Sequence, residues 1–271
     1  MSQVAVLGNY PPTVPPDALP SFRVLDTRVD PITVERAIVE IEKWIAAGDR
    51  GRCVALTNVN NVMEARHNQR FHAAMDAMDL SLPDGMPLAW LARRLGHRNA
   101  RRIAGPDFVP AFCEATAQRH YRHYFYGSAP GIAEKMGENL KKMAPGMEIA
   151  GAFSPPFRAL SAEEDTYIVE MINRAKPDVL WVGLGCPKQE YWVVEHRHRL
   201  NVPVILAVGQ AFDIHAGVLK RAPRWMREHG LEWLFRLLSE PRRLWRRYLL
   251  SNSQFVFYVA LEAARAGGRA R

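Results

Sequence analysis

One carboxylate stands where an α/β protein commonly does its chemistry. In Leu80-Ser81-Leu82-Pro83-Asp84-Gly85-Met86-Pro87-Leu88-Ala89-Trp90, an apolar run ends at Pro83 and an amphipathic pattern starts just past Gly85. This predicts a strand-to-helix corner at Asp84, with Gly85 allowing a tight turn and Pro87 in the first helical turn. Two uses of Asp84 fit. Its carboxylate could accept the first free N–H groups of the helix as an N-cap. It could instead take a proton at the rim of a sheet. A second polar cluster, Thr57-Asn58-Val59-Asn60-Asn61, directly follows the buried-strand pattern Cys53-Val54-Ala55-Leu56. Those side chains suit either turn and cap chemistry or a polar binding site at a strand's carboxyl end. Two glycine-containing turns also follow strand-like runs. Gly127-Ser128-Ala129-Pro130-Gly131 feeds a helix N-terminus that could hold an anion. Gly183-Leu184-Gly185-Cys186-Pro187-Lys188-Gln189-Glu190 carries a G-x-G backed by Lys188 and Gln189. Neither is a dinucleotide fingerprint or a P-loop.

Other chemistries lack their signatures. There is no G-x-S-x-G elbow and no H-E-x-x-H. His196 and His198 alternate with Arg197 and Arg199, which predicts a solvated helix face rather than a metal site. No D-x-D is present to hold a divalent metal, so a pyrophosphate leaving group would need cationic side chains instead. The chain has them. It carries +8 overall, and from Lys220 to Arg247 nine basic residues face three acidic ones, a local +6. That stretch also holds Trp225, Trp233, Phe235 and Trp245, with Leu231, Leu234, Leu238 and Leu244 at helical spacing. Basic amphipathic helices with Trp belong at anionic membrane surfaces. A solvated basic helix or an RNA-binding helix would share the composition.

The elements that position these groups alternate along the chain. Phe22 to Val29 reads as a first strand, and Asp30-Pro31 as the cap and first turn of a helix bearing Val34, Ile38, Ile41 and Ile45. Further strands fit His123-Tyr124-Phe125-Tyr126, Met147 to Phe153, Val179-Leu180-Trp181-Val182 and Pro203 to Val208. Ser161-Ala162-Glu163-Glu164 is a capping box opening another helix. The alternation predicts an α/β fold, a mostly parallel sheet with helices on both faces and its polar loops on one rim. At 271 residues, with 48% hydrophobic and 24% charged, the chain has the composition of a folded soluble protein. Three scattered cysteines point to a reducing compartment. The proline-rich start reads as an extended lead-in rather than a signal peptide, and no apolar run would span a bilayer.

In order along the chain stand Thr57-Asn58-Val59-Asn60, Pro83-Asp84-Gly85, Gly105-Pro106-Asp107, Tyr126-Gly127-Ser128, Gly183 to Glu190, Ala211-Phe212-Asp213 with Ala216-Gly217, Arg221-Ala222-Pro223-Arg224-Trp225, Gly230-Leu231-Glu232-Trp233 and Glu240-Pro241-Arg242-Arg243. Together these resemble the WecG/TagA/CpsF glycosyltransferases (glycosyltransferase family 26) from about Phe22 to Leu250. The resemblance implies a Rossmann-like core over residues 22–219, after a lead-in over 1–21. A helical appendage over 220–271 would complete the active site and meet an anionic membrane surface. It implies an inverting, metal-independent transfer, without a cofactor, from a UDP-sugar to a polyprenyl-diphosphate-linked saccharide in cell-surface polysaccharide synthesis. The enzyme would then sit in the cytoplasm, peripheral at the inner face of the plasma membrane.

By position, Asp84 matches the catalytic base of that family, and Thr57 with Asn60 (or Asn58) its polar residues near acceptor and donor sugar. Gln189 matches a glutamine facing the nucleotide-sugar pocket, beside the turns at Gly127, Ser128 and Gly185. Arg236, Arg243 and Arg246 match appendage arginines that reach the diphosphate. Thr57 to Asn61 departs from Thr-x-Asn-Pro-Glu, and Gln210 replaces a small residue. Off the membrane, the apolar tail face could pair with itself as a homo-oligomer. The rival readings are an RNA-binding protein, expected to show salt-dependent affinity, and a nicotinamide oxidoreductase, which lacks its fingerprint. The transferase reading takes no nucleic acid.

Overall fold

The computed structural model describes residues 19–269, so the lead-in expected at the N-terminus lies, up to residue 18, outside the described residues. The first expected strand is instead a two-stranded antiparallel hairpin, β1 (Phe22–Val24) and β2 (Thr27–Val29). The sequence gives no Asn-Gly there. Leu25 and Asp26 nevertheless adopt positive φ of 48° and 67°, the backbone that reverses a hairpin. Helix α1 (Val34–Ala46) follows, then β3 (Arg52–Thr57), α2 (Val59–His67), α3 (Gln69–Asp76), β4 (Leu80–Pro83), α4 (Met86–Arg94) and α5 (Gly105–Ala115). Next come β5 (Arg122–Gly127), α6 (Ile132–Met143), β6 (Glu148–Phe153), α7 (Ala162–Ala175), β7 (Val179–Gly183), α8 (Lys188–His196), β8 (Val204–Ala207) and α9 (Ala211–His215). The tail forms α10 (Arg224–Glu228), α11 (Glu232–Ser239) and α12 (Pro241–Arg269).

Six strands make one sheet in the order β4-β3-β8-β7-β5-β6, and every pairing is parallel. The strand alternation divides the core in two. Val54, Leu56, Leu82, Phe125, Trp181 and Leu206 pack with Ile38 of α1, Phe112 of α5 and Met136 of α6. Their neighbours Cys53, Ala55, Tyr126, Val182 and Ile205 face the other way, toward Phe71, Ile168, Ile172 and Val193. Near-continuous apolar strands are what a sheet covered on both faces requires. Because all six run the same way, the loops after β3, β4, β5, β7 and β8 share one rim.

Asp30 does not cap α1. Thr33 does, its hydroxyl accepting from the Arg36 N–H at 3.2 Å. Asp30 is fully buried, accepting from the Ser81 N–H (2.7 Å) and Arg28 Nε (2.8 Å), while its own N–H donates to the Ser81 carbonyl (2.8 Å). Burial pushes its pKa up, and Arg28 and the Ser81 N–H pull it back. These bonds clamp the hairpin to β4, the strand that carries Asp84. Asp30→Ala should therefore lower stability by about 1.5–3 kcal/mol, the range for a lost hydrogen bond to a charged group. A thermal melt matching wild type would show that the clamp contributes nothing.

His196 also departs from expectation. It is buried, stacked on Trp192 with ring centroids 4.4 Å apart, and hydrogen-bonded to Asp165 at 2.7 Å. Its partner lies 31 positions away on α7, a pairing the local Arg-His pattern does not encode.

The tail packs back on the core. Phe255 of α12 is buried with Phe22, Val24 and Val29 of the hairpin, Val62 and Met63 of α2, and Leu88 of α4. Arg66 lies over the Tyr258 ring at 4.1 Å. No helix among the described residues is long and apolar enough to cross a membrane.

Candidate active site

Asp84 sits directly past β4, and the backbone on both sides is pinned. Its N–H donates to the Thr57 carbonyl at 2.7 Å, and the Ile103 N–H donates to the Pro83 carbonyl at 2.8 Å. Gly85 turns the corner at φ 129°, a backbone that side chains resist. The N-cap of α4 is Gly85 and carries no side-chain bond, so the Asp84 carboxylate is not spent on capping. That side chain is 27% exposed. Arg102 brings its Nε to 3.8 Å from Asp84 Oδ1, near enough to attract but beyond hydrogen-bond reach. Burial pushes the Asp84 pKa up to about 6; Arg102 and Arg236 pull against it, and Glu232 and Asp107 add to it. A carboxylate so poised is ionised at neutral pH and basic enough to take a proton.

Arg102 is held away from Asp84 by the tail. Its Nη2 donates to Glu232, and Nη1 lies 3.4 Å from the Arg227 carbonyl. Arg221 reaches Glu232 at 3.4 Å and grips Asp107 with two bonds of 2.5 Å, joined by Arg227 at 3.2 Å. Burial alone would raise the Asp107 pKa, but Arg221, Arg102 and Arg227 hold it below the usual range. Core residues Arg102 and Asp107 thus bind tail residues Arg221, Arg227 and Glu232. Arg236 is half-buried and within electrostatic range of Asp84, and its Nε has no hydrogen-bond partner among the described residues. The side chains of Arg243 and Arg246 lie outside the described residues.

The polar residues after β3 divide their work. Thr57 is fully buried, and its hydroxyl has no hydrogen-bond partner among the described residues. Asn58 caps α2, accepting from the N–H groups of Asn60 (2.9 Å) and Asn61 (3.3 Å) in a capping box with Asn61. It also stands beside the Asp84 corner: a Cβ built on Gly85 would lie 4.0 Å from the Asn58 Cβ. Asn60 turns to the loop after β7, with Nδ2 3.5 Å from Cys186 Sγ.

Gln189 packs behind the turn at Gly185. It is buried, donating to Glu190 Oε1 at 3.1 Å and accepting from the Gly185 N–H at 3.2 Å. Asn61 donates to the same Glu190 oxygen at 3.1 Å. The buried Glu190 therefore joins the first turns of α2 and α8, a role that an acidic residue in a helix's first turn does not announce. A Cβ built on Gly185 would meet open space. Gly127 packs flat against Gly183, where a Cβ would come within 2.6 Å of backbone. Ser128, at φ 59°, donates to Asp213 Oδ1 at 2.7 Å and ties the loop after β5 to α9.

The model of the "Glycosyl transferase WecG/TagA/CpsF family" matches residues 22–269. A Bacillus spizizenii relative, an N-acetylglucosaminyldiphosphoundecaprenol N-acetyl-beta-D-mannosaminyltransferase, is 32% identical over 82% of this chain and 83% of its own. Proteins of the same name from Bacillus subtilis (29% identical, over 82% of this chain and 84% of the relative) and Staphylococcus aureus (25%, over 88% and 91%) are also similar. The match runs through the hairpin, the sheet and the tail that closes on Asp84, and the chain belongs to the WecG/TagA/CpsF glycosyltransferase family.

Proposed function

We propose that this enzyme moves a sugar from a UDP-sugar to a polyprenyl-diphosphate-linked saccharide, with inversion and without a metal. The observation that carries the reading is Asp84: a carboxylate with its pKa near 6, not spent on capping, at the sheet rim with Arg102 at 3.8 Å and Arg236 within electrostatic range. Asp84 takes the proton of an acceptor hydroxyl. The freed oxygen bonds to the anomeric carbon as the carbon–oxygen bond to UDP breaks. Arg236, with Arg243 and Arg246 of the same tail, offsets the charge gathering on UDP. The turns at Gly127-Ser128 and Gly185 hold the donor, and Gln189 braces the Gly185 turn from behind. The relatives' names make N-acetylmannosamine the first donor to try and an N-acetylglucosaminyl-diphospholipid the first acceptor. Exposed Leu238, Trp245, Leu249 and Leu250 beside the tail's basic residues suit the inner face of an anionic membrane.

The test is UDP release from a panel of UDP-sugars, with a short-chain lipid-diphosphate N-acetylglucosamine and EDTA present. Acceptor-dependent release from one donor is expected. If no donor turns over and calorimetry detects no UDP binding, the reading is wrong.

Glu232→Gln probes how the base is set. Removing that charge deletes one influence that raises the Asp84 pKa and frees Arg102 to approach, so both effects lower it. The acid limb of kcat/KM, near pH 6 in wild type, should move to lower pH. An unmoved limb would separate Glu232 from the tuning of Asp84.

A further inference from the structure

Beside the Asp84 corner lies a concavity. Helix α4, the connection to α5 and helix α10 enclose a cleft of about 740 Å³, within the size range of small-ligand sites. Six arginines line it: Arg93 from α4, Arg98, Arg101 and Arg102 from the connection, and Arg224 and Arg227 from α10. Its carboxylates are Asp107 and Glu228. These are already engaged, Asp107 with Arg221 and Arg227, and Glu228 with Arg224 at 2.6 Å. Arg102 is committed to Glu232. Arg93, Arg98 and Arg101 form no ion pair within the described residues. Guanidinium groups gathered round one cavity repel each other until an anion joins them, and their planar forks match phosphate oxygens.

Two further observations narrow the anion. Trp90 on α4 and Trp225 on α10, the two helices that wall the cleft, are 51% and 58% exposed. Large rings left in the open beside a cationic cleft suit a ligand that is charged at one end and apolar at the other. The cleft also lies at the sheet edge. Arg102 and Met86 belong to its lining and to the Asp84 corner, and β4 is the terminal strand. The loops after β7 and β5 are three and four strands away, about 14 and 19 Å at ~4.8 Å per strand. Through Met86 and Arg102 the cleft adjoins the Asp84 corner, at the sheet edge three to four strands from the turns assigned to the nucleotide.

We propose that this cleft is a prenyl-diphosphate site: Arg93, Arg98 and Arg101 of the core grip the diphosphate of the lipid-linked acceptor, and its chain leaves over Trp90 and Trp225. This rests on the transferase reading for the ligand's role, not for its chemistry. Farnesyl diphosphate is the probe, titrated by calorimetry into the full chain and into an Arg98→Gln/Arg101→Gln variant. Wild type should bind it in a salt-dependent way and ignore farnesol. The variant should lose about tenfold to hundredfold in affinity, with its melting temperature and UDP affinity kept. Binding to phosphatidylglycerol vesicles should be unchanged. Equal affinity of variant and wild type for farnesyl diphosphate overturns the proposal. So does an equal loss on vesicles, which would make the cleft a general headgroup site. Arginine-dependent farnesyl diphosphate binding in a protein that turns over no donor and binds no UDP would uphold the cleft and sink the transferase reading alone.

Discussion

Asp84→Asn lowers turnover by about 10²–10⁴, the usual contribution of a positioned general base, and leaves UDP binding and the melting temperature near wild type. The amide keeps the shape of the carboxylate but cannot take the proton. The fold does not depend on the charge. The carboxylate caps no helix, and its nearest cation stands 3.8 Å away while bound to Glu232. The pH dependence follows from the same group. Below about pH 6 Asp84 is protonated in the wild type, and turnover should fall tenfold for each unit of acidification. In Asp84→Asn that limb should vanish from whatever activity remains. A variant with wild-type turnover, or one that keeps the acid limb, would remove Asp84 from the role.

The corner that carries Asp84 was legible because it is local. An apolar run, a Pro-Asp-Gly turn and an amphipathic start lie within eleven residues. The sheet was legible for a similar reason, since strands buried on both faces must be apolar along their whole length. What escaped sequence reading is held by distant partners. Arg102 and Glu232 are 130 positions apart, Asp107 and Arg221 are 114, and Asn61 and Glu190 are 129. Nothing in the local pattern of either partner names the other. Asp30 misled because Asp-Pro is a sound helix-start signal, yet its carboxylate went to Ser81, 51 positions on. The resemblance flagged the glutamine at 189 but not its burial. Only the packed loops reveal that it braces Glu190 and Gly185.

The basic tail was legible by composition but ambiguous in use. Several of its arginines are now accounted for internally: Arg221 and Arg227 on Asp107, and Arg224 on Glu228. A helix meant to track an RNA backbone would keep such charges for phosphates. Arg221 and Arg227 instead fasten the tail to Asp107 on the rim.

Ending the chain at Leu219 abolishes turnover, by at least about a hundredfold on the scale of a lost electrostatic stabiliser, and leaves a folded core of lower stability. The two large apolar clusters that sandwich the sheet contain no residue beyond Phe212, so the sheet and its flanking helices lose nothing from their packing. The third cluster loses Phe255, with Tyr258 and Val259 beside it. Burial of one such Phe contributes about 3–5 kcal/mol, so the melting temperature should drop without loss of the sheet's circular dichroism. Around Asp84 the change is larger. Glu232 and Arg236 go, and with Glu232 gone Arg102 is free to settle on Asp84. The truncated core should therefore lose both the raised pKa of Asp84 and the tail arginines proposed to face the leaving group. Arg236→Ala in the full chain separates the two effects: turnover should fall while the acid limb near pH 6 persists or moves up, since one cation that lowers the Asp84 pKa is gone. A truncated core with full activity would show that the tail contributes nothing to catalysis. A truncated core that fails to fold would move the tail from the active site to the scaffold, and the Arg236 variant would then decide its catalytic part.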